Sequence, residues 1–566
     1  MCDAGRVPHC PISSIRRFIR VDGMSVKIAI LDGYVDEPSC LGVPPYIAPY
    51  PRYIWGMLKA VKGADLSCTY LTIDQFRADA QLRARLRDFN FMVIIAGAVV
   101  PGKYLGGVPL RKNELPQVAI ANHNILVGPI TLELSKEERE RLTMLEIIDY
   151  PFEERLYERI LRIAHAKTSK GADLNRFALL GAEVVRKHPD FPHVICEMET
   201  YRGCYWSRCS FCIERFQHKW MRPPECVLAE FKRLYSLGIR HFRLGKQSDF
   251  LTYMSDFSAP NPKPEPERMR NFHIAIWRLC PDIKTLHLDN INPRTIAMHP
   301  VESREVLKTI VEFQTPGNVA AFGMETADEK VVKANNLAAH PDEVLFAISI
   351  MNKLGRARGR NGMPILLPGL NFVAGLKGET KKTFELNYEF LQGLLRQDLL
   401  IRRINIRQVK ILPHTPIAEF GDRNVKRHKR YFKLFKRRVR ENIDREMLKR
   451  IIPSGTVLRD LRCESQAGKI TFARQLGSYP ILVGVIGQYK RNQIIDAKVI
   501  DYGMRSVTAI EYPLPINAAK MYQIEAIPGI GARNAARIIK SRPFSSMEEL
   551  NRATGLLCKL RDFISV

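Results

Sequence analysis

Cys204, Cys209 and Cys212 fall within nine residues, in Tyr201-Arg-Gly-Cys-Tyr-Trp-Ser-Arg-Cys-Ser-Phe-Cys212. Three thiolates this close can hold three corners of an iron–sulfur cube and leave the fourth iron open to a reacting ligand. A purely structural cluster takes a fourth protein ligand, which closes that corner. The competing chemistry is a zinc ion whose fourth ligand is His218, Cys196 or Cys226. The remaining cysteines (Cys2, Cys10, Cys40, Cys68, Cys280, Cys463 and Cys558) stand singly. That is no disulfide framework, so a reducing cytoplasm is the expected location.

A reactive loop needs rigid elements on both sides, and the flanking sequence carries them. Over residues 25 to about 130, apolar runs at Val26–Leu31, Ser67–Ile73 and Phe91–Val99 alternate with helical patterns at Arg52–Val61 and Gln75–Asp88. Alternation of this kind specifies a parallel sheet with helices on its faces. The Gly/Pro-rich loop Val100–Pro109 lies just past the third strand, where open α/β sheets bind ligands. Residues 151–189 read as a helical linker. Beyond the cysteines come strand signals at Arg240–Leu244, Lys284–Leu288, Val319–Gly323, Ile365–Val373 and Arg403–Ile411, with helices such as Asp328–Ala334 and Lys381–Leu395 between them. A partial or full barrel of parallel strands closes such a unit.

The carboxyl-terminal part differs in charge. Of the net +28, an excess of 19 lies after residue 400, with 33 Lys/Arg against 14 Asp/Glu. A concentrated basic field attracts a polyanion, and nucleic acid is the expected one. In the basic helix of residues 421–453, Phe435, Val439, Ile443, Met447 and Ile451 recur every four residues and form a docking stripe. Lys436, Arg437, Arg438, Arg440, Arg445 and Lys449 fall largely elsewhere, as a solvated face or a phosphate-tracking one. Five short β-rich pieces over 454–515, punctuated by Gly468, Gly477, Gly487 and Gly503, suggest a small β-barrel. No apolar run approaches the length of a membrane span, so no membrane partner is expected.

The cysteine loop follows a strand and has an aromatic residue, Phe211, just before its last cysteine. In this it resembles the radical S-adenosylmethionine (SAM) superfamily, although four residues rather than three separate Cys204 from Cys209. Later segments strengthen the resemblance: Leu244-Gly-Lys-Gln-Ser-Asp249, Phe322-Gly-Met-Glu-Thr-Ala-Asp-Glu329, and Asn371-Phe-Val-Ala-Gly-Leu-Lys-Gly-Glu-Thr380. It covers residues 190–420. It implies a 4Fe-4S cluster on the three cysteines, SAM on the open iron, Phe211 near the adenine and Glu325 near the ribose. Gly245, Gly375, Gly378 and Glu379 carry further matches. Lys246 and Gln247 depart from the family's acidic pattern, which leaves the SAM amino group to backbone carbonyls. The implied chemistry is one-electron cleavage of SAM to a 5′-deoxyadenosyl radical, which takes a hydrogen atom from the substrate. An electron donor such as ferredoxin or flavodoxin is implied as well.

Residues 1–150 resemble the Rossmann-like cobalamin-binding domains that precede many radical SAM cores. The cobalt-ligand pattern Asp-x-His-x-x-Gly is absent between residues 25 and 150, and His123 lacks its flanks. Cobalamin is therefore left open and disfavoured. Ile524-Glu-Ala-Ile-Pro-Gly-Ile-Gly531 and the residues after it resemble a helix-hairpin-helix over 516–566, with Gly529 and Gly531 in the turn and Arg533 toward phosphate. The 454–515 segment resembles TRAM or OB-type barrels fused to RNA-modifying enzymes. The expectation is an α/β enzyme that modifies a nucleic acid, RNA before DNA, by base methylation or methylthiolation. The alternatives are a radical enzyme for a protein or small molecule, and a non-catalytic nucleic-acid-binding iron–sulfur protein.

Overall fold

The computed structural model describes residues 26–97 except 38, 39, 42 and 64, then 106–164, 166 and 171–566. The chain begins with strands β1 (Val26–Asp32), β2 (Tyr46–Ile47), β3 (Leu66–Thr72), β4 (Phe91–Ile95), β5 (His123–Val127) and β6 (Glu146–Ile147). Five of them form a sheet in the order β3-β1-β4-β5-β6, parallel throughout. Ile28–Leu31 of β1 and the whole of β4 are unbroken apolar runs because both of their faces are covered. Ile28 to Leu31 and Phe91 to Ile95 are buried. The helix expected over Gln75–Asp88 breaks into Ile73–Ala78 and Ala80–Leu86, because the Asp79 side chain caps the second piece by accepting from the Leu82 amide at 2.9 Å. The Val100–Pro109 loop lies mostly outside the described residues.

Six further strands follow: β7 (Ile195–Glu199), β8 (His241–Gly245), β9 (Thr285–Leu288), β10 (Asn318–Glu325), β11 (Leu366–Ala374) and β12 (Arg403–Gln408). They form two parallel ladders, β9-β8-β7-β2 and β10-β11-β12. A parallel bridge between Asn290 and Ala321 joins the ladders, with the Ile291 amide donating to the Ala321 carbonyl at 3.1 Å. The six strands thus run in sequence order as a partial barrel. Pro224–Ser236, Pro266–Leu279, Pro300–Phe313, Pro341–Gly355 and Lys381–Arg396 are helices of its crossover connections.

Two contacts pin the carboxyl edge of the first sheet over the carboxyl ends of the barrel strands. Lys410, beyond β12, pairs with Glu133, and Lys246, beyond β8, donates to the Tyr150 hydroxyl at 2.7 Å. Deeper down, Arg52 donates to Glu230 at 2.8 Å and the Tyr53 hydroxyl to Glu199 at 2.5 Å. Glu230 also accepts from Arg222 at 2.7 Å.

The basic segment is helical from Arg423 to Ile451, with short breaks and a π turn at Arg440–Asp444. Phe435, Val439, Ile443, Met447 and Ile451 are buried, which is the stripe read from the sequence. This helix runs the length of the barrel. His428 sits 3.0 Å from Glu379, after β11, and the Ile451 carbonyl accepts from Arg358, before β11, at 2.9 Å.

Strands β13 (Val457–Ala467), β14 (Ile470–Gln475), β15 (Leu482–Ile486), β16 (Ile494–Tyr502) and β17 (Ser506–Glu511) close a small barrel in the order β13-β14-β15-β17-β16. Several of its contacts are with loops that precede the large barrel's strands. Asp190, before β7, accepts from Arg462 and Arg491 at 2.5 and 2.9 Å. The Asn361 carbonyl, before β11, accepts from Gln475 at 2.7 Å. The small barrel therefore hangs beneath the amino-terminal ends of the strands. The closing helices Met521–Glu525, Gly531–Lys540 and Met547–Thr554 pack beside it through Ile510, Leu514, Ile524, Ile538 and Leu550. Among the described residues no helix is long and apolar enough to cross a membrane.

Candidate functional site

β7 leads into a hairpin in which Tyr201–Arg202 pairs antiparallel with Trp220–Met221, and all three cysteines lie between its arms. The loop is held from three directions. Tyr205, the start of the four-residue spacer, is buried; its hydroxyl accepts from Asn292 at 2.9 Å and lies 3.0 Å from Thr295 Oγ1. Thr295 in turn donates to Asp249 at 2.6 Å. The Trp206 indole donates to the Asn336 carbonyl at 2.7 Å. Ser207 takes a left-handed φ of 50°, and this turn lets the longer spacer fold back without displacing Cys209. Asn335 is the clamp on the far side. It receives the Ser210 amide and hydroxyl at 2.9 and 2.8 Å, and its side chain donates to the Lys377 carbonyl at 2.8 Å. The cysteine loop is thereby fastened to the loop after β11.

The three thiols share one electrostatic environment. Burial pushes Cys209 up to about 12, and neighbouring Cys204 and Glu325 push in the same direction. Burial raises Cys212 well above the usual thiol range, with Glu214, Cys209 and Cys204 adding to it, and burial raises Cys204 too. Without a cation the site holds thiols; a bound metal deprotonates them. Among the described residues no three His, Cys, Asp or Glu side chains are gathered tightly enough to hold one metal ion. The suggested fourth zinc donors are also elsewhere. Cys196 is buried in the core beside Arg52 and Glu230, His218 is exposed, and Cys226 lies on helix Pro224–Ser236. The donor set fits a cluster with an open corner.

Phe211 and Cys209 lean on an apolar patch made by Val331, Leu337, Leu376 and Val409, with Val373 and Ile411 beside it, at the ends of β11 and β12. Glu325 ends β10 at a bulge, with φ 63°. Its Oε2 is buried and accepts no hydrogen bond. Burial lifts its carboxyl to about 8, and Arg407 on β12 offsets only part of the rise. A buried acid with a free oxygen beside Cys209 is a candidate for contact with a ligand.

The remaining sequence-derived positions fall into supporting roles. A Cβ on Gly245 would collide with the buried Glu197 carboxylate. The Leu244 carbonyl already accepts from the Asp289 amide and the Gln247 side chain, while those of Gly245 and Gln247 accept one bond each, from Thr200 and Asn290, and keep a second lone pair for an amino group. Glu379 turns away from the cysteines: its Oε2 accepts from the Gly375 amide at 2.7 Å, and its Oε1 faces His428. It shapes the loop in which Gly375, at φ 95°, has no room for a side chain against Val425. Gly378 is likewise left-handed. Gly529 and Gly531, at φ 80° and 65°, make the tail's tight turn, and Arg533 is exposed just beyond it. That turn belongs to the end of the molecule opposite the cysteines.

Sequence reasoning passed over Asn335, Tyr205 and Arg407. A signal exists for Arg407: Arg403-Ile-Asn-Ile-Arg407 alternates polar and apolar residues, and polar side chains on a barrel strand are candidates for the lumen.

Glu325→Gln is expected to flatten the pH dependence of stability in the cluster-free protein. An acid raised from its ordinary 4.5 to about 8 lets the folded chain bind more protons than the unfolded one between those values. Stability therefore falls as pH climbs through that window, by at most about 5 kcal/mol and less where water reaches the group. The variant loses this fall, as thermal unfolding at pH 5 and pH 9 would read out.

Taken together, the chain is an α/β protein whose partial parallel barrel presents a three-cysteine loop at its carboxyl end. It is 57% identical over 532 residues to an uncharacterised protein of Archaeoglobus fulgidus, covering 94% of this chain and 98% of that one. It is 40% identical over 525 residues to an uncharacterised protein of Methanocaldococcus jannaschii, covering 88% and 95%. The chain belongs to the family that these proteins define. No protein-family model matches it. Similar solved structures include the radical SAM methyltransferase TsrM from Kitasatospora setae, with cobalamin and a 4Fe-4S cluster bound; the TM-score is 0.49 at 12% identity, covering 70% of this chain and 74% of that chain. The cobalamin-dependent SAM radical enzyme OxsB gives 0.43 at 13% identity, covering 72% and 56%.

Proposed function

We propose that this protein is a radical SAM enzyme acting on a nucleic acid. The carrying observation is the three-thiol loop clamped by Asn335 beside an unpartnered Glu325 at the open end of a parallel barrel. A 4Fe-4S cluster held there would supply the electron for one-electron cleavage of the SAM sulfonium. The chain's own part is holding and shielding. Cys204, Cys209 and Cys212 hold three irons. Phe211 and the Leu376–Val409 patch give an apolar wall for a purine ring. Glu325, protonated up to about pH 8, donates or accepts toward a ribose hydroxyl. The first sheet lies over the mouth, pinned through Lys410 and Lys246, and helps keep bulk water out. Cobalamin is left open: His123, the sole histidine between residues 25 and 150, has its Nε2 engaged by Glu146 at 2.6 Å. No step uses cobalamin.

The substrate class is supported by where the basic helix starts. Asn424 donates to the Leu376 carbonyl at 2.6 Å, so the helix departs from the loop that holds the cysteine hairpin. Arg423, Lys426, Arg427, Lys429, Arg430 and Lys433 are exposed on that stretch. A row of cations at the mouth of the site suits a phosphate backbone, RNA before DNA. The Gly529–Gly531 turn with Arg533 offers a second, distant backbone contact. Oxygen-free reconstitution with iron, sulfide, SAM and a reductant tests the reading: 5′-deoxyadenosine should form, and RNA from a deletion strain should gain a modified nucleoside. Absence of 5′-deoxyadenosine ends the enzymatic reading, and an unmodified RNA ends the substrate reading.

A further inference from the structure

The lumen of a (β/α) barrel is ordinarily filled by side chains from its own strands. Here part of the filling comes from another unit. The turn between β14 and β15, Leu476 to Tyr479, enters the amino-terminal mouth of the large barrel. The Leu476 carbonyl accepts from Thr285 at 2.7 Å, the Ser478 amide donates to His287 Nδ1 at 2.7 Å, and the Ser478 hydroxyl donates to the Leu288 carbonyl at 3.2 Å. Gly477 passes so close to the His287 ring that an added Cβ would lie 2.6 Å from it.

Tyr479 makes the strongest contacts. It sits at φ 49°, a region that bulky residues occupy only when their surroundings compel it. Its hydroxyl donates to Asp289 at 3.0 Å and accepts from Arg243 at 3.2 Å, while the Arg403 guanidinium lies 3.8 Å from its ring centre. Arg243, Glu197 and Asp289 are fully buried. Arg243 also pairs directly with Asp289, while Arg243 Nε and Asp289 Oδ2 have no hydrogen-bond partner, so the tyrosine hydroxyl adds a bond to a buried pair that is still short of partners. From Arg243 the chain of contacts climbs. Its guanidinium donates to both oxygens of Glu197 at 2.9 Å, and the Glu197 carboxylate occupies the space beside Gly245. Gly245 ends β8 on the cysteine face, where Lys246 turns left-handed at φ 68°.

We propose that Tyr479 is a positioning residue for SAM: the small barrel holds the end of β8 in its binding shape through Arg243 and Glu197. The inference rests on the radical SAM reading of that site. It also gives the small barrel a duty at the catalytic mouth, although the barrel itself docks at the other end.

Tyr479→Phe keeps the ring, the stacking on Arg403 and the docked turn, and removes only the hydroxyl. In the cluster-loaded full-length protein, iron and sulfide content should stay at the wild-type level. The Kd for SAM should rise about fivefold, within the range carried by packed networks between distant sites. Glu197→Gln, at the other end of the chain of contacts, should give a similar loss, and the double variant should be little worse than either single one. Ser478→Ala, which also trims the turn, should leave the Kd unchanged. A Tyr479→Phe protein that melts earlier yet binds SAM as the wild type does overturns the proposal, as does a double variant with additive losses. A wild-type protein that carries its cluster and binds no SAM overturns the radical SAM reading itself, and that failure is visible before any variant is compared.

Discussion

Replacing Cys209 by alanine is expected to abolish 5′-deoxyadenosine formation and to leave a protein that cannot be reconstituted to a stable cluster. The same holds for Cys204 and Cys212, because two thiolates do not secure a cube whose fourth corner must stay open. The fold should survive. Cys209 is only partly buried and contributes one small side chain to a patch that Val331, Leu337 and Leu376 already fill. Iron content, visible absorption and the 5′-deoxyadenosine assay should fall together while the unfolding temperature of the cluster-free protein barely moves. A Cys209→Ala protein that still cleaves SAM would mean that the reactive metal is held elsewhere.

Neutralising Lys426, Arg427, Arg430 and Lys433 together should change RNA binding more than removing the whole 516–566 tail. For a single strand, four lost phosphate contacts flatten the slope of log K against log salt by about 3 and weaken binding about a hundredfold near 0.15 M salt. These four side chains are exposed and lie along the helix that leaves the cysteine face. The Gly529–Gly531 turn sits at the opposite end, where it can anchor a long molecule without guiding a nucleotide to the cluster. Titrations of a fluorescent RNA at several salt concentrations separate the two surfaces. Unchanged affinity in the fourfold variant would remove the basic helix from the substrate path.

Much of the scaffold is legible in the sequence, for a physical reason. Strands covered on both faces are largely apolar, so the middle of β1, the whole of β4 and most of β11 stand out as runs, and their alternation with helical periods leaves a parallel sheet as the natural solution. The stripe from Phe435 to Ile451 is equally plain, because a long helix against a barrel repeats its contacts every turn. What the sequence conceals are partners that meet only in space. Asn335 reads as the polar end of a short helix, and nothing nearby says that it will grip Ser210. Gly477-Ser-Tyr479 reads as a hairpin turn, since local patterning reports how a chain bends and not what it bends into. Glu379 adds a contact that its motif does not announce: its carboxylate accepts from the Gly375 amide, because a matched pattern does not reveal which way a side chain turns.

The pairing of Glu230 with both Arg52 and Arg222 has a practical consequence for dissecting the molecule. A recombinant fragment beginning near residue 190 would keep the cysteine hairpin but discard Arg52 and Tyr53, stripping donors from Glu230 and Glu199 deep inside the protein. Glu230 keeps Arg222 and Glu199 keeps Arg202, but each loses a donor, and the core residues packed on Tyr50, Tyr53 and Ile54 lose their apolar cover. The first sheet and its helix are therefore not a detachable lid. Attempts to crystallise or assay the barrel in isolation should begin from the intact amino-terminal half.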